Sequence, residues 1–194
     1  MIERVRPLGE LVTLGAKKFQ HLFENYEHTA FRLEVRDRYN VSYETESVNK
    51  FLSGDVAEMD VRYRQANDWT DMVARSGAAG KLFERVRVVS EPFTDYTRYG
   101  LWSSQFTCGA GEDIRYLKRD QANGLPNHDY WLFDSRILVM MNFDDDDQPL
   151  EHEIIDDQPE LLVQHNYWRD AAWHHAIRRE DFVAQHNLDF ASSP

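Results

Sequence analysis

A chain of 194 residues with 34 acidic against 22 basic side chains and a net charge of −12 fits one domain that buries most of its apolar core, and a second large domain is not expected. The acid excess sets direct nucleic-acid binding against the molecule's own field, whereas a basic protein partner or a cationic ligand gains from that field. A single cysteine, Cys108, excludes an intramolecular disulfide and any cysteine-rich zinc site, so a reducing, cytoplasmic setting is expected.

The charges of Glu3, Arg4, Arg6, Glu10, Lys17, Lys18, Glu24 and Glu27 interrupt every candidate signal-peptide core, and no window approaches the ~18 apolar residues of a membrane span. Phe19, Leu22, Phe23, Tyr26 and Ala30 recur at three- and four-residue spacing, which predicts a helix over residues 14–31 with one apolar stripe. Residues 32–36 then alternate apolar and charged, the rhythm of a half-buried strand, here expected at a sheet edge. A short helical pattern around Val48, Phe51 and Leu52 closes at Gly54. Asn67 or Asp68 caps the next helix, and the small-residue run from Gly77 to Gly80 breaks it.

Residues 85–89 read as a central strand stopped by Pro92, with a helix expected over 94–101 and a second strand over 114–117. After a polar loop, the runs Tyr130 to Phe133 and Ile137 to Met141 flank a turn at Asp134, Ser135 and Arg136, the pattern of an antiparallel hairpin. Asp144 to Asp147 make a turn, and residues 152–155 a return strand. Asp157 and Pro159 then supply the cap and first turn of a closing helix, whose Leu161, His165, Trp168 and Ala172 share one face. These elements predict an α/β or α+β chain, a mixed sheet flanked by helices. Residues 1–80 read as a helical extension packed on a core formed by 81–194, the two making one cooperative unit.

Arg85 and Arg87 flank Val86, so both guanidinium groups project from one strand face. With Glu91, Arg98, Glu112, Arg115 and Arg119 they suit an anion-binding floor, since guanidinium grips carboxylates and phosphates through a bidentate fork. The same residues suit a second reading, in which the ions neutralise one another and only orient the strands. Tyr96, Tyr130 and Asp134 complete the expected ligand-facing set, the aromatic rings supplying apolar contact. His128, Tyr130 and Asp134 form a weaker constellation. A phospholipase D-type phosphodiesterase uses a His nucleophile, a Lys two residues later and an Asp further along. Here Tyr130 stands in place of the Lys, which leaves no cationic clamp. The aspartate run lacks the spacing of an EF-hand loop, and the adjacent His174 and His175 cannot form an i, i+4 metal pair. No metal or cofactor is expected.

The segments Thr29-Ala30-Phe31-Arg32-Leu33-Glu34, Arg85-Val86-Arg87-Val88-Val89-Ser90-Glu91-Pro92 with Tyr96 and Arg98, Ala110-Gly111-Glu112-Asp113-Ile114-Arg115 and Asp129-Tyr130-Trp131-Leu132-Phe133-Asp134 together resemble a family of uncharacterised actinobacterial proteins, of the Streptomyces type, often encoded beside helix-turn-helix regulators. The resemblance covers residues 19–182. In the order of its strands the chain is also similar, distantly, to non-catalytic phospholipase D-like sensor domains, and this implies a half-domain of that fold with a helical N-terminal extension. Together these resemblances imply a non-enzymatic regulatory or accessory module whose partner is a small anionic molecule or a regulator protein, without direct nucleic-acid or membrane contact. Two alternatives stand beside it: a phosphodiesterase-like hydrolase using His128 and Asp134, and an acidic mimic or antitoxin-like interaction protein.

Overall fold

The computed structural model describes residues 14–42, 44–188 and 190. The charged residues before position 14, which argue against a signal peptide, lie outside the described residues. The chain folds as α1 (Leu14–Asn25), β1 (Thr29–Glu34), α2 (Thr45–Leu52), α3 (Val56–Tyr63), α4 (Asp68–Ala78), β2 (Leu82–Val89), α5 (Asp95–Ala110), β3 (Asp113–Lys118), β4 (Asp129–Phe133), β5 (Ile137–Met141), β6 (Glu153–Ile155), α6 (Pro159–His175), β7 (Ile177–Arg178) and α7 (Arg179–Gln185). The architecture is α/β, a seven-stranded mixed sheet in the order β6-β5-β4-β1-β2-β3-β7 flanked by helices. β1, β2 and β3 run parallel at its centre and the outer pairings are antiparallel. No helix among the described residues is long and apolar enough to cross a membrane.

One sheet face is largely apolar. Phe31, Leu33, Val86, Val88, Leu117, Tyr130, Leu132 and Leu138 pack there beneath Ala172 and Trp173 of α6. The opposite face carries two apolar clusters. Phe19 and Phe23 of α1, Tyr26 just after it and Val73 of α4 cover Ala30, Phe83, Trp131 and Phe133, while Leu101 of α5 and Phe182 of α7 cover Val89, Ile114 and Tyr116. Between these clusters lie the charged side chains of β1 and β2.

The local signals explain most boundaries. Asn67 accepts hydrogen bonds from the Trp69 and Thr70 amides and Thr70 bonds back, a full capping box that starts α4. Thr94 caps α5, which runs well past the expected residue 101 and ends at Gly111 in the left-handed region with φ of 114°. Pro159 opens α6, but the cap position is Gln158 and not Asp157, and its side chain makes no capping bond.

Two larger corrections concern the first third of the chain. The first helix ends at Asn25 rather than 31. The Asp134 carboxylate takes the amides of Glu27, His28 and Thr29, which turns the chain into β1. That strand is not an edge: it lies between β4 and β2, buried along nearly its whole length. Arg32 and Glu34 read as a solvent-facing rhythm because sequence alternation cannot distinguish water from a buried counter-ion. Because β1 is central, the expected division at residue 80 falls inside the crossover that joins β1 to β2.

Candidate functional site

Parallel register sets Arg32 beside Arg85 and Glu34 beside Arg87, all on the face covered by α1, α4 and α5. Glu34 is the hub. Its Oε1 lies 2.9 Å from Nη1 of Arg85 and 3.5 Å from Nε of Arg32, and its Oε2 takes Nε of Arg87. Arg85 continues to Oε1 of Glu112 at 2.7 Å, and Arg32 to Oδ2 of Asp129 at 3.2 Å. The side chains of Glu112 and Asp129 are wholly buried, and that of Glu34 is 8 % exposed. Asp129 also accepts from the Tyr39 hydroxyl and from the Val35 amide at 2.9 Å. Arg32 and Arg85 both lie over the Trp131 ring.

Burial alone would push the Glu34 carboxyl up, but Arg85, Arg87 and Arg32 overcome it and hold the group at about 2. Asp129 has one guanidinium where Glu34 has three, so burial wins there and its pKa is raised despite the ion pair. Burial likewise raises Glu44, against the hydrogen bond that its Oε2 accepts from the Tyr96 hydroxyl at 2.6 Å. Arg87 is pressed against Gly100 of α5, where an added Cβ would fall on Nη1. The void beside Arg87, lined in part by Tyr96, Thr97 and Tyr116, has about 10 Å³, too little for more than one water. The buried cluster is therefore a closed network of ion pairs, with no hollow fit for a ligand.

Open space lies just beyond it, at the carboxyl ends of the parallel strands, where open α/β sheets receive ligands. A recess of about 420 Å³ is lined by Val35, Arg36, Asp37, Arg38, Thr94, Arg119 and Asp147. Asp37 ties its walls together by accepting from the Ser90 amide at 2.9 Å and the Ser90 hydroxyl at 2.7 Å, while its carbonyl takes the Thr94 hydroxyl at 2.8 Å. Arg119 donates to the Ser90 hydroxyl at 2.7 Å and to the Val35 carbonyl at 2.5 Å. Asp147 holds both Arg36 and Arg38 at 2.5 Å, and the two guanidinium groups together keep its carboxyl below the ordinary aspartate range against the opposing effect of burial. Arg38 remains 67 % exposed, and Nε is its one nitrogen engaged in that pair.

A family model described as a domain of unknown function, DUF6879, matches residues 17–184. The chain belongs to the DUF6879 family. None of the curated proteins compared with it gives a significant match. The match contains the whole stretch expected from the sequence motifs, and it agrees with their assignment to an uncharacterised family.

Within this DUF6879 domain the sequence-expected site residues divide. Arg85, Arg87, Glu112 and Tyr96 do come together on the network side of the sheet. Arg115 lies on the other face, paired with Asp113 at 3.1 Å and stacked 3.7 Å from the Trp173 ring. Tyr130 is also on that other face, fully buried, with its hydroxyl on the His165 carbonyl at 3.1 Å. Arg98 is exposed on α5. Glu91 stands at the surface with Lys118 at 2.6 Å and His186 at 3.4 Å. The expected convergence of Arg85, Arg87, Arg98 and Arg115 on one hollow does not occur, since Arg115 sits at the opposite strand parity and Arg98 on the outer side of its helix. His128 and Asp134 bracket β4, one residue before and one after it, roughly 20 Å apart along the strand. The two therefore form no joint acid-base site. Asp134, at φ of 50°, serves as a turn anchor for the amides before β1.

Sequence reasoning missed Arg32, Glu34, Asp129, Tyr39 and Glu44 in the network, and Arg36, Asp37, Arg38 and Asp147 at the recess. A signal for the first group was present. Two strands each carry charges at i and i+2, an acid and a base in one and two bases in the other, and opposite charges at matched spacing favour strands that pair. The recess residues come from four loops and carry no such periodic mark. Among the described residues no group of three or more His, Cys, Asp or Glu side chains is placed to hold a metal ion.

Proposed function

We propose that the domain is a non-enzymatic recognition module that takes a small anionic ligand in the recess at the carboxyl ends of β1, β2 and β3. The observation that carries this reading is the pairing of three arginines, Arg36, Arg38 and Arg119, around an open concavity of ligand size, with loops braced by Asp37. Each arginine spends part of its fork on a carboxylate or carbonyl of the wall, which fixes its orientation before any ligand arrives and lowers the entropy cost of capture. The two aspartates of the recess are already engaged, Asp37 by Ser90 and Asp147 by Arg36 and Arg38, so the reading is recognition rather than turnover. In the same proposal the protein partner is a helix-turn-helix regulator, whose contact with the domain the ligand would modulate. The domain would then act as a sensor.

Titration of the protein with inorganic pyrophosphate and with a dicarboxylate, followed by amide chemical shifts, tests the proposal. Shifts confined to residues 35–38, 90–94 and 119, with affinity at least ~10-fold weaker in Arg38→Ala, are expected, since Arg38 is exposed and its loss leaves the Asp147–Arg36 pair in place. Absence of shifts in those loops, or identical binding by R38A, would overturn it.

A further inference from the structure

The loop that joins β3 to β4 is fastened at both ends. At its start Arg119 grips Ser90 and Val35. At its end His128 meets His165 of α6, Nε2 to Nε2 at 3.0 Å. The His165 ring is packed edge-on against Tyr130 at 4.7 Å and Trp168 at 4.9 Å, and the His128 ring lies 5.8 Å from Trp168. His165 is 3 % exposed, so its imidazole is held by protein on nearly every side.

The proton positions in this pair follow from its neighbours. Nδ1 of His165 lies 2.8 Å from the Leu161 carbonyl oxygen, which only accepts, so Nδ1 carries the hydrogen. The Nε2 of neutral His165 is then an acceptor, and Nε2 of His128 donates to it. The ring centroids are 5.3 Å apart, about the nitrogen separation plus two ring radii, so the nitrogens face one another head-on. That is hydrogen-bond geometry; two imidazoles serving one metal ion would converge on a point beside the line joining them.

We propose that the His128–His165 pair is an acid-released latch that fastens the end of the β3–β4 loop to α6. One added proton can be accepted with the bridge kept, on Nδ1 of His128 or, if His128 changes tautomer and becomes the acceptor, on Nε2 of His165. A second sets N–H against N–H and drives the rings apart. No nearby charge offsets this. Neither ring is ion-paired with a carboxylate among the described residues, in contrast to His21, His28 and His186. The titratable group facing the pair from β4 is the Tyr130 phenol, kept neutral by burial, and on α6 Arg169 is engaged by Asp170 and Ser135. On the loop side Asp129 follows His128 but turns to the other sheet face, toward Arg32 and Tyr39. Burial lowers the pKa of both rings, and for His128 the neighbouring His165 adds to the effect. For a histidine held below its free value, the neutral, latched form is fully stable above the ordinary range and is lost as pH falls through the depressed values.

Imidazole and amide resonances of the intact protein, followed from about pH 8 to about pH 5, test the latch. Both rings are expected to titrate below free histidine. Amide protection at Ala122 and Leu125, corrected for intrinsic exchange, should fall at least ~10-fold across that titration, and the Trp168 indole resonance should move with it. His128→Gln keeps a donor for His165 Nε2 but cannot titrate, and is expected to abolish the acid response of the loop. Titration of either ring at or above the free value, protection independent of pH in the wild type, or a wild-type response retained in H128Q would each overturn the proposal. The wild-type titration decides the matter alone if the variant does not fold.

Discussion

Glu34→Gln is the sharpest probe of the interior, because this one carboxylate faces three guanidinium groups. Two routes give its weight. A carboxyl held at about 2 rather than 4.5 favours its charged form by on the order of 3 kcal/mol. Removing one partner from a buried ion pair costs ~3–5 kcal/mol by analogy with measured cases. Arg85 keeps Glu112 and Arg32 keeps Asp129, but Arg87 has no second carboxylate partner among the described residues and is stranded. A loss of ~4 kcal/mol is a large part of the ~5–15 kcal/mol that holds a domain folded. At a urea dependence of ~2 kcal/mol per molar, the unfolding midpoint should drop by ~2 M. The double variant E34Q/R87M removes the stranded cation and should recover a coupling of ~1–3 kcal/mol over the sum of the single changes. Because the folded pKa is depressed, the stabilisation is complete above about 4.5 and disappears as pH falls toward about 2; the E34Q variant should lack that part of the acid response. Urea titrations followed by circular dichroism decide the question. A midpoint shift under ~0.5 M, or strict additivity of the two substitutions, would refute the reasoning.

Gly100→Ala tests the close approach of α5 to Arg87. Alanine favours a helix by ~0.5–1 kcal/mol, yet its Cβ would displace a guanidinium pinned by Glu34, at a cost of ~1–3 kcal/mol. Thermal melting should show destabilisation in the wild-type background and a neutral or stabilising effect in R87M; the same sign in both backgrounds would exclude the clash. Cys108, whose thiol burial pushes up to about 11 from 9.0, should hold roughly a hundredfold less thiolate at neutral pH than an unperturbed cysteine. Its alkylation should be slow in the folded protein and rise steeply in denaturant, and equal rates in the two states would contradict the assignment.

The strands of the hairpin, the central strand, the start of α4 and the closing helix were all legible because each carries a local mark: a run of β-branched or aromatic residues, a cap, a proline at the first turn. The two-residue β7 and the seven-residue α7 carry no such mark, since neither is long enough to display a period. The charged residues mislead for a different reason. Arg32 and Glu34 alternate with Phe31, Leu33 and Val35 as a surface strand would, and nothing within residues 32–36 announces that Arg85, Arg87 and Asp129 will supply the counter-charges. Arg115 and Arg98 resemble Arg85 and Arg87 in type and neighbourhood, but a side chain's face depends on strand parity and helix phase, and these place them elsewhere. The grouping of Arg85, Arg87, Glu112 and Tyr96 was therefore recoverable from sequence, while their enclosure was not.

A hydrophobic substitute for the buried network would hold the sheet about as firmly, so the consequence of the charges lies in what they forbid. A one-residue slip of β1 against β2 would swing Arg32 and Glu34 onto the face covered by α6, among Leu132, Val86 and Ala172, where they would have no counter-ions. A two-residue slip would keep the faces but set Glu34 opposite Arg85, stranding Arg87. The observed register gives Arg32, Arg85 and Arg87 each a carboxylate partner, and that register also delivers Arg36, Asp37 and Arg38 to the carboxyl edge beside Ser90 and Arg119. The interior ions and the recess are in this sense one arrangement: the first fixes which loop residues meet at the rim, and the second is what those residues leave open to a ligand.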